Sequence, residues 1–179
     1  MEQNIVDKLR KKDYKVQEYF YKTYAKSMFL TIYRYLNNEE DTAEILNDGF
    51  YKVFSQLDKF KEGGITELLS WTKRIMINES LQLLRKRKEL KFVELNDNQI
   101  QHLTINSDMD LEAEELFNLI TKLPSKYRIV FNLFVVEGYN HQEISEMMNI
   151  SESTSRSYVL RARLKLQEII KTTYSYELR

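Results

Sequence analysis

The chain has 179 residues, 42% of them apolar, enough for one medium domain or two small ones and too many for wholesale disorder. Its 27 basic and 27 acidic side chains cancel, so net charge alone gives no reason to expect a nucleic-acid partner. The absence of cysteine excludes disulfides and thiolate metal sites, and four glycines with one proline cannot supply the tight turns of an all-β fold.

The first fourteen residues, MEQNIVDKLRKKDY, lack the apolar run of a signal peptide, and no 18-residue apolar stretch offers a membrane span, so a cytoplasmic protein is expected. From 14 to about 36, Phe20, Tyr24, Met28, Ile32 and Tyr35 recur at helical spacing until Asn37-Asn38 breaks the pattern. A second helix fits 39–58, with Ala43, Leu46, Phe50, Val53 and Leu57 three and four apart. The glycine pair at 63–64 reads as a loop, and Thr66 is the expected cap of a third long helix reaching about Lys88. Periodicity lapses from residue 89. The expected organisation is an all-α fold of two small helical domains, 1–92 and 110–179, joined by a linker at 93–109. The second domain opens with an acidic turn. Pro124 punctuates it, and the apolar run 127–136 suggests a helix buried on most sides.

Charge is arranged in blocks. Residues 39–48 hold five acidic and no basic side chains: Glu39, Glu40, Asp41, Glu44 and Asp48. Arg85, Lys86, Arg87, Lys88 and Lys91 form a basic run, and 151–171 hold five basic residues against two acidic ones. Two basic surfaces on one chain suit a polyanion touched at two places, although a charge run at a helix end also suits the helix dipole.

The most informative segment is 140–167, which reads as a helix over 142–148, a turn at 149–151 and a longer helix, the helix-turn-helix of the C-terminal domain. Ile144 and Met148 should face inward and Ser145 is small where two helices approach. Asn149 tolerates a left-handed turn, and Ser151 is a natural N-cap. Ser155, Val159, Ala162, Leu166 and Ile169 make the expected buried stripe of the longer helix. Arg156, Ser157, Leu160, Arg161 and Arg163 flank it, where arginine forks suit guanine edges and phosphates. An antiparallel helix pair with a basic solvent face is the plainer alternative.

With these residues in view, 123–166 resembles the promoter-binding domain of extracytoplasmic-function sigma factors. The segments DTAEILNDGFYKVFSQLDKF and LLSWTKRIMINESLQLLRKRK resemble their N-terminal domain. The resemblance implies partners and sites. Asp41, Glu44, Ile45, Asn47 and Asp48 would dock on a coiled coil of the beta-prime subunit of core RNA polymerase. Phe60 and Asn78 would hold a flipped base of the promoter's minus-ten element, in a set with Trp71 and with Lys73, Arg74 and Arg85 near the backbone. Ser153, Arg156, Ser157, Arg161 and Arg163 would serve the minus-thirty-five element. An anti-sigma factor is a further family expectation; no cofactor, metal, catalytic residue or membrane insertion is implied.

The residues themselves leave alternatives open. Leu68, Trp71, Ile75 and Asn78 share a helical stripe, so the Asn78 amide should lie on a mostly apolar face, satisfied by protein groups or by a ligand. Trp71 reads as core more readily than as a base-stacking ring, and Phe60 can equally plug the domain base. Ser153, Ser155, Ser145 and Gln82 stand where the family often has glycine, valine, alanine and aspartate. That bears on which bases are read. The alternative function is an autonomous helix-turn-helix regulator, although no dimerising or ligand-sensing part remains once both domains are assigned. An enzyme lacks support: there is no phosphate-cradling glycine loop, and His102 and His141 stand far apart in sequence.

Overall fold

The computed structural model describes residues 2–61, 63–87 and 113–174. The chain divides into two compact units, Met1–Arg87 and Lys88–Arg179. The 93–109 linker expected from sequence lies outside the described residues, and every described element is a helix or the turn between helices.

Unit 1 holds α1 (Glu2–Arg10), α2 (Tyr14–Leu36), α3 (Glu39–Ser55) and α4 (Ile65–Lys86). The polar residues between helices work as caps. The Asp13 carboxylate accepts from Lys15 N and Val16 N at the start of α2. The two asparagines divide their labour: Asn37 ends α2 in the left-handed region at φ 52°, and the Asn38 side chain accepts from Asp41 N to open α3. The acidic first turn of α3 faces that helix's positive dipole end.

One helix was not expected, and one expectation needs correction. The first helix was not legible, yet α1 buries Val6 and Leu9 against the rest of the unit. Thr66 is not the cap of α4. The helix starts at Ile65, Gly64 occupies the cap position, and the Glu67 carboxylate accepts from Gly64 N at 2.8 Å. Gly63, at φ 141°, makes the turn that a side chain would strain.

The core of unit 1 is aromatic and aliphatic. Phe20 is surrounded by Tyr24, Phe50 and Phe54, with ring centroids 4.9–6.2 Å away. Gly49 lets α3 approach α4 closely, since a β-carbon there would stand 2.2 Å from Met76 Sδ.

Unit 2 holds α5 (Ala113–Thr121), α6 (Ser125–Phe131) running on into a π turn (Asn132–Val136), α7 (His141–Met148) and α8 (Glu152–Tyr174). The apolar run 127–136 is thus helical as expected but not one regular helix. Leu119, Ile120, Leu123, Phe131, Ala162 and Leu166 form a core between α5, α6 and α8. Arg128 is buried, and its Nη1 donates to the Leu123 carbonyl at 2.9 Å, satisfying an acceptor just past the end of α5.

Candidate nucleic-acid interface and docking face

In unit 2 each residue of the expected helix-turn-helix has a local task. Asn140 caps α7 by accepting from Glu143 N at 2.9 Å, while Glu143 accepts from Asn140 N at 2.8 Å. Asn149 takes the left-handed conformation, φ 52° and ψ 53°, and the Ile150 N–H donates to Ser145 O, ending the helix. Ser151 Oγ then accepts from Thr154 N at 3.1 Å and opens α8. Ile144 and Met148 are buried below the turn.

On α8 the buried stripe is Ser155, Val159, Ala162 and Leu166, with Ile169 packed at its edge. It is wider than expected, because Thr154, Ser157 and Tyr158 are buried too. Ser157 is only 2% exposed, so it belongs to the inner face and not to the outward set in which the sequence placed it. Tyr158 explains why: its ring packs on Tyr127 of α6, with centroids 5.5 Å apart, and turns that side of α8 inward. The outward arc keeps Ser153, Arg156 and Arg163 exposed, with Arg161 half-buried. Arg156 pairs with Glu152 one turn earlier at 3.2 Å, both well exposed, which steadies the side chain without burying its charge.

The minus-ten set is spread over two environments. Phe60 is buried, its ring 5.7 Å from that of half-buried Trp71. Arg10 holds the same loop: Nη2 donates to Phe60 O at 2.6 Å and to Lys61 O at 2.9 Å. Asn78 is exposed, contrary to the apolar face expected for it. The buried arc of α4 rotates along the helix, from Leu68 and Thr72 to Ile77, Leu81 and Leu84. The stripe through Trp71 and Ile75 therefore runs out into solvent at Asn78. Lys73 is half-buried, and Arg74 and Arg85 are exposed.

On α3 the polymerase set likewise divides. Glu44, Asn47 and Asp48 are exposed, whereas Ile45 is 7% exposed and part of the core. Asp41 is engaged in a two-pronged pair with Arg87, Nη1 to Oδ2 at 2.5 Å and Nη2 to Oδ1 at 2.7 Å. Asn47 accepts from Tyr21 OH at 3.2 Å. Lys52 of α3 also pairs with Glu79 of α4 at 2.6 Å. Tyr51, 75% exposed, continues the Glu44, Asn47, Asp48 face by one turn. Sequence reading passed over it, although its i+4 spacing from Asn47 was the available signal. No helix among the described residues is long and apolar enough to cross a membrane.

These features define a two-unit helical protein with a helix-turn-helix in one unit and an acidic helical face in the other. Residues 20–89 match the Sigma-70 region 2 family, and residues 113–166 match Sigma-70, region 4. The sigma factor SigV of Bacillus subtilis is 23% identical over 76% of this chain and 80% of its own length. The extracytoplasmic-function factor SigW of the same organism is 25% identical over 83% and 85%. Among solved structures, CnrH in complex with the cytosolic domain of CnrY covers 96% of this chain and 97% of its own, at a TM-score of 0.52 and 16% identity. The sigma factor RpoE of Bartonella quintana, in complex with the anti-sigma factor NepR, covers 86% and 96% at a TM-score of 0.51 and 19% identity. The chain belongs to the extracytoplasmic-function family of RNA polymerase sigma factors.

Proposed function

We propose that this sigma factor works through three surfaces, each built on a different helix. The outward arc of α8, with Ser153, Arg156, Arg161 and Arg163, reads the minus-thirty-five duplex. The exposed side of α4, with Arg74, Asn78 and Arg85, follows the minus-ten strand, and Lys73 lies at its edge. Phe60 and Trp71 form the floor under the α3–α4 loop there, and a flipped base would rest against that floor. The α3 face of Glu44, Asn47 and Asp48 docks on the beta-prime coiled coil of core polymerase. Asp41, paired with Arg87, sets the start of that face.

The observation that carries the reading is the outward arc of α8. The Asn149 turn and the Ser151 cap fix the start of the helix, and Tyr158 fixes its roll, leaving Arg156 and Arg163 toward solvent. The protein acts in the cytoplasm and has no catalytic activity of its own; the chemistry is the polymerase's. An anti-sigma factor is a further proposed partner, by analogy with the RpoE–NepR complex.

Run-off transcription with added core polymerase on a promoter library, followed by sequencing of the starts, tests the function. Starts from a small promoter set, dependent on both proteins, are expected. Tight sequence-specific gel shifts by the chain alone, without stimulated transcription, would mean an autonomous regulator.

A further inference from the structure

We propose that His141 is a positioning residue for the recognition helix: its ring, seated between Phe134 and the Ser155 hydroxyl, sets how α8 presents Arg156 to DNA. The proposal rests on reading α8 as the DNA-facing helix.

Ser155 is fully buried on the inner side of α8, where a hydroxyl without a partner would cost free energy. Its Oγ lies 2.9 Å from Nδ1 of His141, fourteen residues earlier on another helix. One face of the imidazole lies flat on Phe134, with ring centroids 4.3 Å apart and 12° between the planes. Phe134 sits in the π turn, where the Glu137 N–H donates to Asn132 O five residues back. Such a turn holds one more residue than an α-helical turn and so redirects the side chains along it. His141 itself has little freedom, because it is the first residue of α7 and the Asn140–Glu143 box fixes the backbone there. The ring is therefore a strut from a fixed backbone, through a packed face, to the residue directly before Arg156.

The same position ties the ring to the DNA-facing charges. Burial and the nearby Arg156 and Arg163 hold its proton affinity below the ordinary value, with Glu152 opposing them. All three charged groups lie on α8, and the stacking partner on the α6 side, Phe134, carries no charge. Phosphates drawn to the two arginines would offset their field, so bound DNA should ease protonation of His141. By linkage, protonation should then favour bound DNA.

The test uses the full chain with core polymerase, on promoter pairs from the run-off library that differ only in the minus-thirty-five element. His141→Phe keeps the ring and loses the hydrogen bond, Ser155→Ala loses the hydroxyl, and His141→Asn keeps a polar group near Nδ1 but cannot titrate. His141→Phe and Ser155→Ala should each lower discrimination about 5-fold, and the double variant no further, since both remove one contact. His141→Asn should retain most discrimination. It should lack the gain in minus-thirty-five affinity that the wild type shows as pH falls from about 7.5 to about 5.5. Additive losses in the double variant would overturn the proposal. So would wild-type discrimination in both single variants while Arg156→Ala still loses it. Unchanged promoter use by Arg156→Ala would remove instead the reading of α8 on which the proposal rests. If the ring variants unfold, the imidazole resonance of His141 in a His102→Gln chain decides. A higher titration midpoint with a minus-thirty-five duplex supports the role, and an unmoved midpoint refutes it.

Discussion

The two units use charge in opposite ways. In unit 1 the acidic and basic helices are tied together: Asp41 of α3 grips Arg87 beyond α4, and Lys52 of α3 reaches Glu79 of α4. In unit 2 the outward Arg156 of α8 pairs with a local glutamate, Glu152, and stays 59% exposed. Charge that neutralises charge between helices ties those helices together, whereas charge left toward solvent remains able to meet phosphate. A net charge of zero thus conceals two different surfaces.

The largest effect expected from this contrast is on polymerase binding. Reversing Glu44 and Asp48 to lysine together should abolish co-purification with core polymerase and promoter-directed transcription. Both residues are exposed, so the thermal midpoint should stay near that of the wild type. Retained polymerase binding by the folded variant would refute the docking role of α3. Asp41 was first grouped with these two, but Asp41→Asn removes the Arg87 pair and should lower stability by no more than about 1 kcal/mol, since the arginine is half exposed.

On α8, Arg156→Ala should cost roughly 1–3 kcal/mol of promoter binding and relax preference at one or two minus-thirty-five positions. Footprinting of the polymerase complex across base-substituted promoters measures both. Between α3 and α4, Gly49→Ala should destabilise unit 1 by about 1–3 kcal/mol in denaturant unfolding, because the new methyl meets Met76.

Asn78→Ala separates structure from function within unit 1. Since Asn78 is exposed, stability should change by less than about 0.5 kcal/mol. Discrimination among minus-ten bases on a pre-melted template should fall. Unchanged discrimination would leave Asn78 with no role at the strand.

The smallest effect is on pH dependence. The His141 proton affinity is lowered in the folded unit, so the unfolded chain binds the proton more readily. The contribution is fully present above the ordinary pKa of 6.5 and is lost as pH falls through the lower folded value. Thermal midpoints of the wild type should fall more between pH 7 and pH 5 than those of His141→Asn, within about those limits. An equal fall in both would remove His141 from the balance.

Much of this was legible from residues alone, for a physical reason. The two-unit all-α organisation, the Asn37-Asn38 break, the Asn149 turn and the Ser151 cap follow from backbone preferences and from apolar spacing, which act over a few residues. The family followed because its two segments stand in order along the chain. Tertiary packing decided the rest. Ser157 and Ile45 turned inward because Tyr158 and the α3–α4 contact set the roll of their helices, and roll depends on the neighbours. Asn78 turned outward because the buried arc of α4 rotates along the helix. The Arg10 grip on the Phe60 loop, the Asp41–Arg87 pair and the His141–Ser155 contact join residues 50, 46 and 14 positions apart. Local periodicity carries no information about contacts at such separations; only the folded chain brings those groups within reach of one another.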